Sequence, residues 1–144
     1  MKRVIIINGP NLNLLGKREE KIYGNISFED IYSDLCKYSK KNDIELSYFQ
    51  SNNEGLIVDK IQELINNMDF IIINPGALTH YSYSIHDAIV SSKISTIEVH
   101  ISNIYSREEW RSKSVISPAS IGILSGFGVN VYKLALIYIA ELYE

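Results

Sequence analysis

The chain opens on Met1-Lys2-Arg3 and then four β-branched residues, Val4-Ile5-Ile6-Ile7, which break into Asn8-Gly9-Pro10-Asn11. A run apolar on both faces suits an inner strand of a covered sheet, and Gly with Pro ends it because Pro cannot donate to the ladder. From Ser27 the period changes. Phe28, Ile31, Leu35 and Tyr38 recur at helical spacing, Glu29, Asp34, Lys37 and Lys41 point elsewhere, and Asn42-Asp43 closes the pattern. Ser27 and Asp30 are spaced as a capping box, the serine accepting a backbone N–H and the aspartate reaching back to it. Residues 44–49 predict a second strand; Ile57, Ile61, Leu64, Ile65 and Met68 a second helix; and Phe70-Ile71-Ile72-Ile73 a third strand ending in Asn74-Pro75-Gly76. A helix beginning around 82–84 turns Ile85, Ala88 and Ile89 inward and leaves His86 and Asp87 on other faces. Residues 94–99 read as a fourth strand, 107–111 as a short helix, 121–124 as a fifth strand, and the last helix starts near Val129.

Strand followed by helix, repeated along the chain, predicts an α/β fold: a flavodoxin-like, doubly wound, five-stranded parallel sheet in three α/β/α layers. The last helix is apolar over an unusually wide arc. Val131, Leu134, Ala135, Tyr138 and Leu142 form one stripe, and Tyr132, Leu136, Ile139 and Tyr143 widen it to roughly twice what one core face requires. Two readings fit: part of that surface meets another subunit, or the helix is sunk deep in its own domain.

Composition narrows the function classes. The 144 residues fit one domain, expected to be a single catalytic domain over 1–144, and a chain of this size buries about 68–70% of its unfolded surface without a disulfide or metal. With 14 basic and 17 acidic residues and a net charge of -3, nothing favours nucleic acid or an anionic membrane. Cys36 is the only cysteine and falls in the first helical pattern, so it reads as a packed thiol in a reducing, cytoplasmic setting. The apolar run after Lys2-Arg3 is too short for a signal peptide, and the run 134–140 is too short to span a membrane.

The polar residues gather at the strand ends. In a parallel sheet these lie along one edge, so Asn11, Arg18, Tyr23, Asn74, His80, His100, Ser102 and Arg111 are in position to converge. Glu98, His100 and Ser102 are two apart and share a face of an extended segment. Glu98 is therefore placed to orient the imidazole of His100 and favour its charged form, as a general acid requires, although such a pair in isolation is commonly incidental. No Gly-x-Ser-x-Gly turn follows a strand, Asn8-Gly9-Pro10-Asn11 lacks the Gly spacing of a phosphate-binding loop, and the spacing of His80, His86 and His100 matches no standard zinc site.

Several stretches in order, Asn8-Gly9-Pro10-Asn11-Leu12-Asn13-Leu14-Leu15-Gly16 with Arg18-Glu19 and Tyr23-Gly24, then Asn74-Pro75-Gly76-Ala77-Leu78-Thr79-His80, then Glu98-Val99-His100-Ile101-Ser102-Asn103 with Arg107-Glu108-Glu109 and Arg111, closely resemble the type II 3-dehydroquinate dehydratases. Gln50-Ser51-Asn52, Asp87-Ala88, Gly126-Phe127-Gly128 and Tyr132 extend the resemblance over nearly the whole chain. It implies a cofactor-independent trans dehydration of 3-dehydroquinate to 3-dehydroshikimate, through an enolate, in the shikimate route to aromatic amino acids.

The resemblance further implies that Tyr23 is the base, with Arg18 lowering its pKa; that Asn11 stabilises the enolate; and that His100, oriented by Glu98, protonates the leaving hydroxyl. Asn74, the backbone around Ile101 and the Ser102 hydroxyl match the family's substrate-carboxylate site, and His80 and Arg111 its contacts to ring hydroxyls. Asp87 matches a residue that reaches a neighbouring subunit's site in a dodecamer built from trimers. Glu20 stands where the family commonly has proline, His86 in place of an arginine, Ser112-Lys113 in place of a more histidine-rich pair, and Val131 in place of a glycine. The competing reading is a flavodoxin-like module that binds a small anion at the same edge without chemistry.

Overall fold

The computed structural model describes residues 1–17 and 26–142. Arg18, Glu20, Tyr23 and Tyr143 lie outside the described residues. The strands are β1 (Lys2–Asn8), β2 (Ile44–Gln50), β3 (Phe70–Asn74), β4 (Ser95–His100) and β5 (Gly122–Ser125); the α-helices are α1 (Phe28–Lys41), α2 (Glu54–Glu63), α3 (Tyr83–Ser92) and α4 (Asn130–Glu141). All strand pairs are parallel, in the order β2-β1-β3-β4-β5, which is the flavodoxin-like winding expected from the alternation of strand and helix.

Alternation along β1 builds both cores. Val4 and Ile6 face Phe28, Leu35, Val131 and Leu136 of α1 and α4, whereas Ile5 and Ile7 face Ile57, Ile61, Ile85 and Ile89 of α2 and α3. Ile71, Ile72 and Ile73 of β3 are completely buried in the same two-sided way. Each fully buried isoleucine contributes about 1.5–3 kcal/mol, so this central pair of strands is the most rigid platform in the molecule.

The helix ends follow local chemistry, with differences from expectation. Ser27 caps α1 by accepting the Asp30 N–H at 3.4 Å, but the reciprocal half of the box is altered: the Ser27 hydroxyl donates to the Asp30 carboxylate at 3.0 Å. Aspartate is one methylene shorter than the glutamate that normally spans back to the N-cap backbone. Helix α2 stops at Glu63 instead of running to Met68, because Leu64 makes the cap and Asn66 adopts a left-handed φ of 67°. The segment 104–119 holds 3-10 turns, Ile104–Ser106, Glu109–Arg111 and Ser117–Ala119, in place of one short helix. Asn103 caps the first by accepting Tyr105 N–H, and Pro118 sits at the start of the last.

The wide apolar arc of α4 is divided. Val131, Tyr132, Ala135, Leu136 and Ile139 are fully buried, while Leu134 and Tyr138 are 38% and 51% exposed. The stripe is thus split: Val131 and Ala135 belong to the core, and Leu134 and Tyr138 face outward. The helix is rotated so that Tyr132 packs edge-on against Phe28, 5.2 Å between centroids, and sends its hydroxyl to two buried amides at the sheet's carboxyl edge.

Candidate active site

The carboxyl ends of β1, β3 and β4 open onto one cleft at the point where the strand order reverses, the place where ligands bind in doubly wound sheets. Its floor is set by a close approach of two loops. A Cβ on Gly9 would lie 2.5 Å from the Pro75 carbonyl oxygen, and one on Gly76, at φ 60°, would lie 2.9 Å from the Pro10 carbonyl oxygen. Only glycine permits this contact, which brings Pro10-Asn11 against Pro75-Gly76.

Beneath the cleft runs a buried amide chain. Tyr132 donates its hydroxyl hydrogen to Asn8 Oδ1 at 2.8 Å and accepts from Asn74 Nδ2 at 3.0 Å, while Gly76 N–H donates to Asn74 Oδ1 at 3.2 Å. The Asn74 amide is thereby fixed in one orientation, with one N–H left over at the cleft. Asn11, in a left-handed conformation at φ 71°, lines the cleft, its backbone N–H held by Asn52 Oδ1 at 2.9 Å.

Strand β4 supplies an ionisable pair. Glu98 is completely buried, and His100, 5% exposed, meets its Oε2 through Nε2 at 2.5 Å. Burial pushes the Glu98 carboxyl up, but hydrogen bonds from His100, Ser117 and Thr79 outweigh it and hold the group below the usual carboxylate range. An ionised carboxylate only accepts, so Nε2 of His100 carries a hydrogen toward it and Nδ1 is left for the cleft. His80 donates Nδ1–H to the Lys113 carbonyl at 2.7 Å, which leaves Nε2 free, and burial lowers its pKa from the ordinary histidine value.

The remaining rim is cationic. Arg111 lines the cleft, stacks over the Trp110 ring at 4.0 Å and donates to Glu108 at 3.1 Å. Arg107, to which the sequence reading assigned no role, also lines it and donates to the Ser102 hydroxyl at 3.1 Å.

Of the expected site residues, Asn11, Asn74, His80, His100, Ile101, Ser102 and Arg111 are brought together at this cleft, and Glu98 stands directly behind His100. Asp87 is not among them. It is exposed on α3 and does not line the cleft. Arg18 and Tyr23 lie outside the described residues. Thr79, part of the 74–80 stretch but given no role there, and Ser114 and Ser117, which no motif or spacing singled out, surround Glu98. Among the described residues no group of three or more His, Cys, Asp or Glu side chains is arranged to hold a metal ion, and no helix is long and apolar enough to cross a membrane.

The fold and the cleft together define an α/β protein that presents a histidine–carboxylate pair and two arginines at its switch-point crevice. Residues 2–140 match the family described as dehydroquinase class II, and the chain belongs to that family. It is 54% identical over 145 residues to the 3-dehydroquinate dehydratase of Caldicellulosiruptor bescii, covering 100% of both chains, and 55% identical over 136 residues to that of Prochlorococcus marinus, covering 94% of this chain and 92% of the relative. Among solved structures, the type II dehydroquinase of Butyrivibrio crossotus superposes with a TM-score of 0.93 at 48% identity, over 96% of this chain and 97% of the other. That of Propionibacterium acnes gives 0.93 at 37% identity, over 97% of each.

Proposed function

We propose that the protein catalyses the cofactor-independent anti elimination of water from 3-dehydroquinate, giving 3-dehydroshikimate through an enolate, in the shikimate route to aromatic amino acids. The observation that carries this reading is the buried Glu98–His100 pair opening, through His100, onto a cleft lined by Arg107 and Arg111. The cationic wall suits an anionic substrate, and the imidazole can carry a proton to a hydroxyl that departs. Asn11 supplies an amide to the enolate oxygen; Asn74, the Ile101 backbone and Ser102 receive the substrate carboxylate; His80 and Arg111 meet ring hydroxyls. Tyr23, activated by Arg18, removes the proton next to the ketone. The proton taken from carbon passes to Tyr23, and the proton that leaves with the hydroxyl as water comes from His100.

The direct test is to mix purified protein with 3-dehydroquinate and follow the ultraviolet absorbance of the conjugated enone. Steady growth of that band is expected. Its absence with folded protein removes the enzymatic reading and leaves the alternative of a non-catalytic anion-binding module.

We propose, further, that the working form is a cytoplasmic homo-oligomer, a dodecamer built from trimers in which Asp87 reaches the site of a neighbouring subunit. Tyr81, Tyr83 and Val90 are 60%, 65% and 56% exposed around the same helix as Asp87, an apolar surface suited to contact with another copy. Light scattering should give a mass of about twelve chains, and a monomeric mass under assay conditions would end this part of the proposal.

A further inference from the structure

The Glu98 carboxylate is enclosed by hydroxyls from two segments far apart in the chain. Thr79, from the 3-10 turn after β3, donates to Oε2 at 2.6 Å; Ser117, from the segment before β5, donates to Oε1 at 2.6 Å; and Ser114 lies 2.9 Å from both oxygens. The direction of each bond can be worked out. Ser114 Oγ already accepts the backbone N–H groups of Ile116 and Ser117, both at 3.0 Å, so its own hydrogen is what remains for Glu98. Thr79 Oγ1 lies 2.9 Å from Ser114 Oγ, which has no lone pair left to accept from it, so its hydrogen also goes to the carboxylate. With His100 Nε2–H as the fourth donor, the roughly four acceptor sites of a carboxylate are filled.

We propose that Ser117, with Ser114 and Thr79, is a positioning residue: the three hydroxyls hold Glu98 ionised and in a single rotamer, and through it fix the ring orientation of His100 with Nδ1 toward the cleft. The inference deepens the reading of His100 as the proton donor and rests on it. The cage is itself anchored. His80 donates to the Lys113 carbonyl at 2.7 Å, His86 to the Val115 carbonyl at 2.8 Å, and Val115 N–H to the Thr79 carbonyl at 2.8 Å, so the segment carrying both serines is pinned beside the turn carrying the threonine. Ser117 is the cleanest member, since its hydroxyl is engaged with Glu98 while Ser114 also caps the turn.

The sign of the pH effect follows from the charges around the pair. Glu98 lies between Ile73 of β3 and Ile123 of β5 in the sheet, so neither neighbouring strand sets a charge beside it. Among the described residues, His80 from the turn after β3, and Arg107 and Arg111 from the segment after β4, are the other titratable or charged groups lining the cleft with His100. Each is cationic when charged, favours an anionic Glu98, and is untouched by a change at Ser117. The Glu98 carboxyl is held below the usual range, so its ionised form is present above that point and is lost as pH falls through it. Removing one hydroxyl donor moves the point upward.

The experiment is the pH profile of kcat for wild type, Ser117→Ala, Ser117→Thr and Thr79→Val, paired with NMR of histidine-15N-labelled protein without substrate. Ser117→Ala should lower kcat about tenfold and leave KM within about twofold, while the acidic limb near neutrality, which belongs to Tyr23, stays in place. Ser117→Thr should restore kcat. In NMR, the pH at which the His100 Nε2–H resonance changes should rise by about 0.5–1 pH unit in Ser117→Ala and return in Ser117→Thr. If Ser117→Ala does not fold, Thr79→Val removes a donor with little change of shape and carries the same expectation. A folded donor-less variant with an unmoved resonance overturns the proposal, as does a loss of kcat that the threonine does not rescue. If wild type gives no turnover, it is the functional reading that has failed, and the resonance alone decides the cage.

Discussion

Replacing His100 by alanine should lower kcat about 10²–10⁴-fold while KM stays within about threefold, because a group that delivers a proton only in the transition state contributes little to binding substrate. The geometry makes the residue hard to substitute. Its Nε2–H is committed to Glu98 at 2.5 Å inside the protein, and with the ring 5% exposed, water has almost no access to take over the role. The change also has a structural cost. Glu98 loses one of four donors but keeps three hydroxyls, so a loss of about 1–3 kcal/mol is expected rather than unfolding. Steady-state kinetics on protein shown to be folded by circular dichroism, with added imidazole as rescue, separates the two effects. A variant within tenfold of wild type would remove His100 from the proton path.

Much of the frame was legible because it is written in the most regular signals. The β-branched runs Val4–Ile7 and Ile71–Ile73, each closed by a turn, read as inner strands, and their polar endings at Asn8 and Asn74 mark the edge where the cleft lies. The spacing of Glu98 and His100 placed them on one face, and they are in hydrogen-bond contact. The rotation of α4 was not legible, because its apolar residues cover so much of the wheel that the pattern does not choose a face. The choice is made by one polar atom, the Tyr132 hydroxyl, which must reach Asn8 and Asn74. The part played by Thr79, Ser114 and Ser117 was not legible for a related reason. Hydroxyl residues have no period of their own, and these three stand 16 to 19 positions from the carboxylate they serve.

The rim carries a second lesson about charge. A net charge of -3 says nothing of the cleft, where Arg107 and Arg111 stand on one short segment with Glu108 between them. Glu108 lies 3.9 Å from one guanidinium and 3.1 Å from the other, and being 54% exposed it is screened and easily displaced. Under the proposed function, an anionic substrate would compete with it for cations that already line the cleft.

Tyr23→Phe is expected to lower turnover about 10³-fold with binding retained, whereas His80→Asn should raise KM about tenfold and leave kcat within about threefold. Both residues are conceivable bases, and the structure gives grounds for separating them. His80 donates Nδ1–H to the Lys113 carbonyl, and burial lowers its affinity for a further proton, so Nε2 is a better acceptor for a substrate hydroxyl than a base for a carbon acid. Tyrosine begins at a pKa of about 10, and a neighbouring cation such as Arg18 can lower it by about 1–3 units, making it a stronger base than that imidazole and yet ionisable near neutrality. Stopped-flow enone formation with both variants, together with equilibrium binding of a non-reactive substrate analogue, reads the two effects apart. Should His80→Asn abolish turnover while Tyr23→Phe keeps it, the base belongs on the turn after β3. His100 and His80 would then act as acid and base across one cleft, and the loop bearing Arg18 and Tyr23 would be left with binding alone.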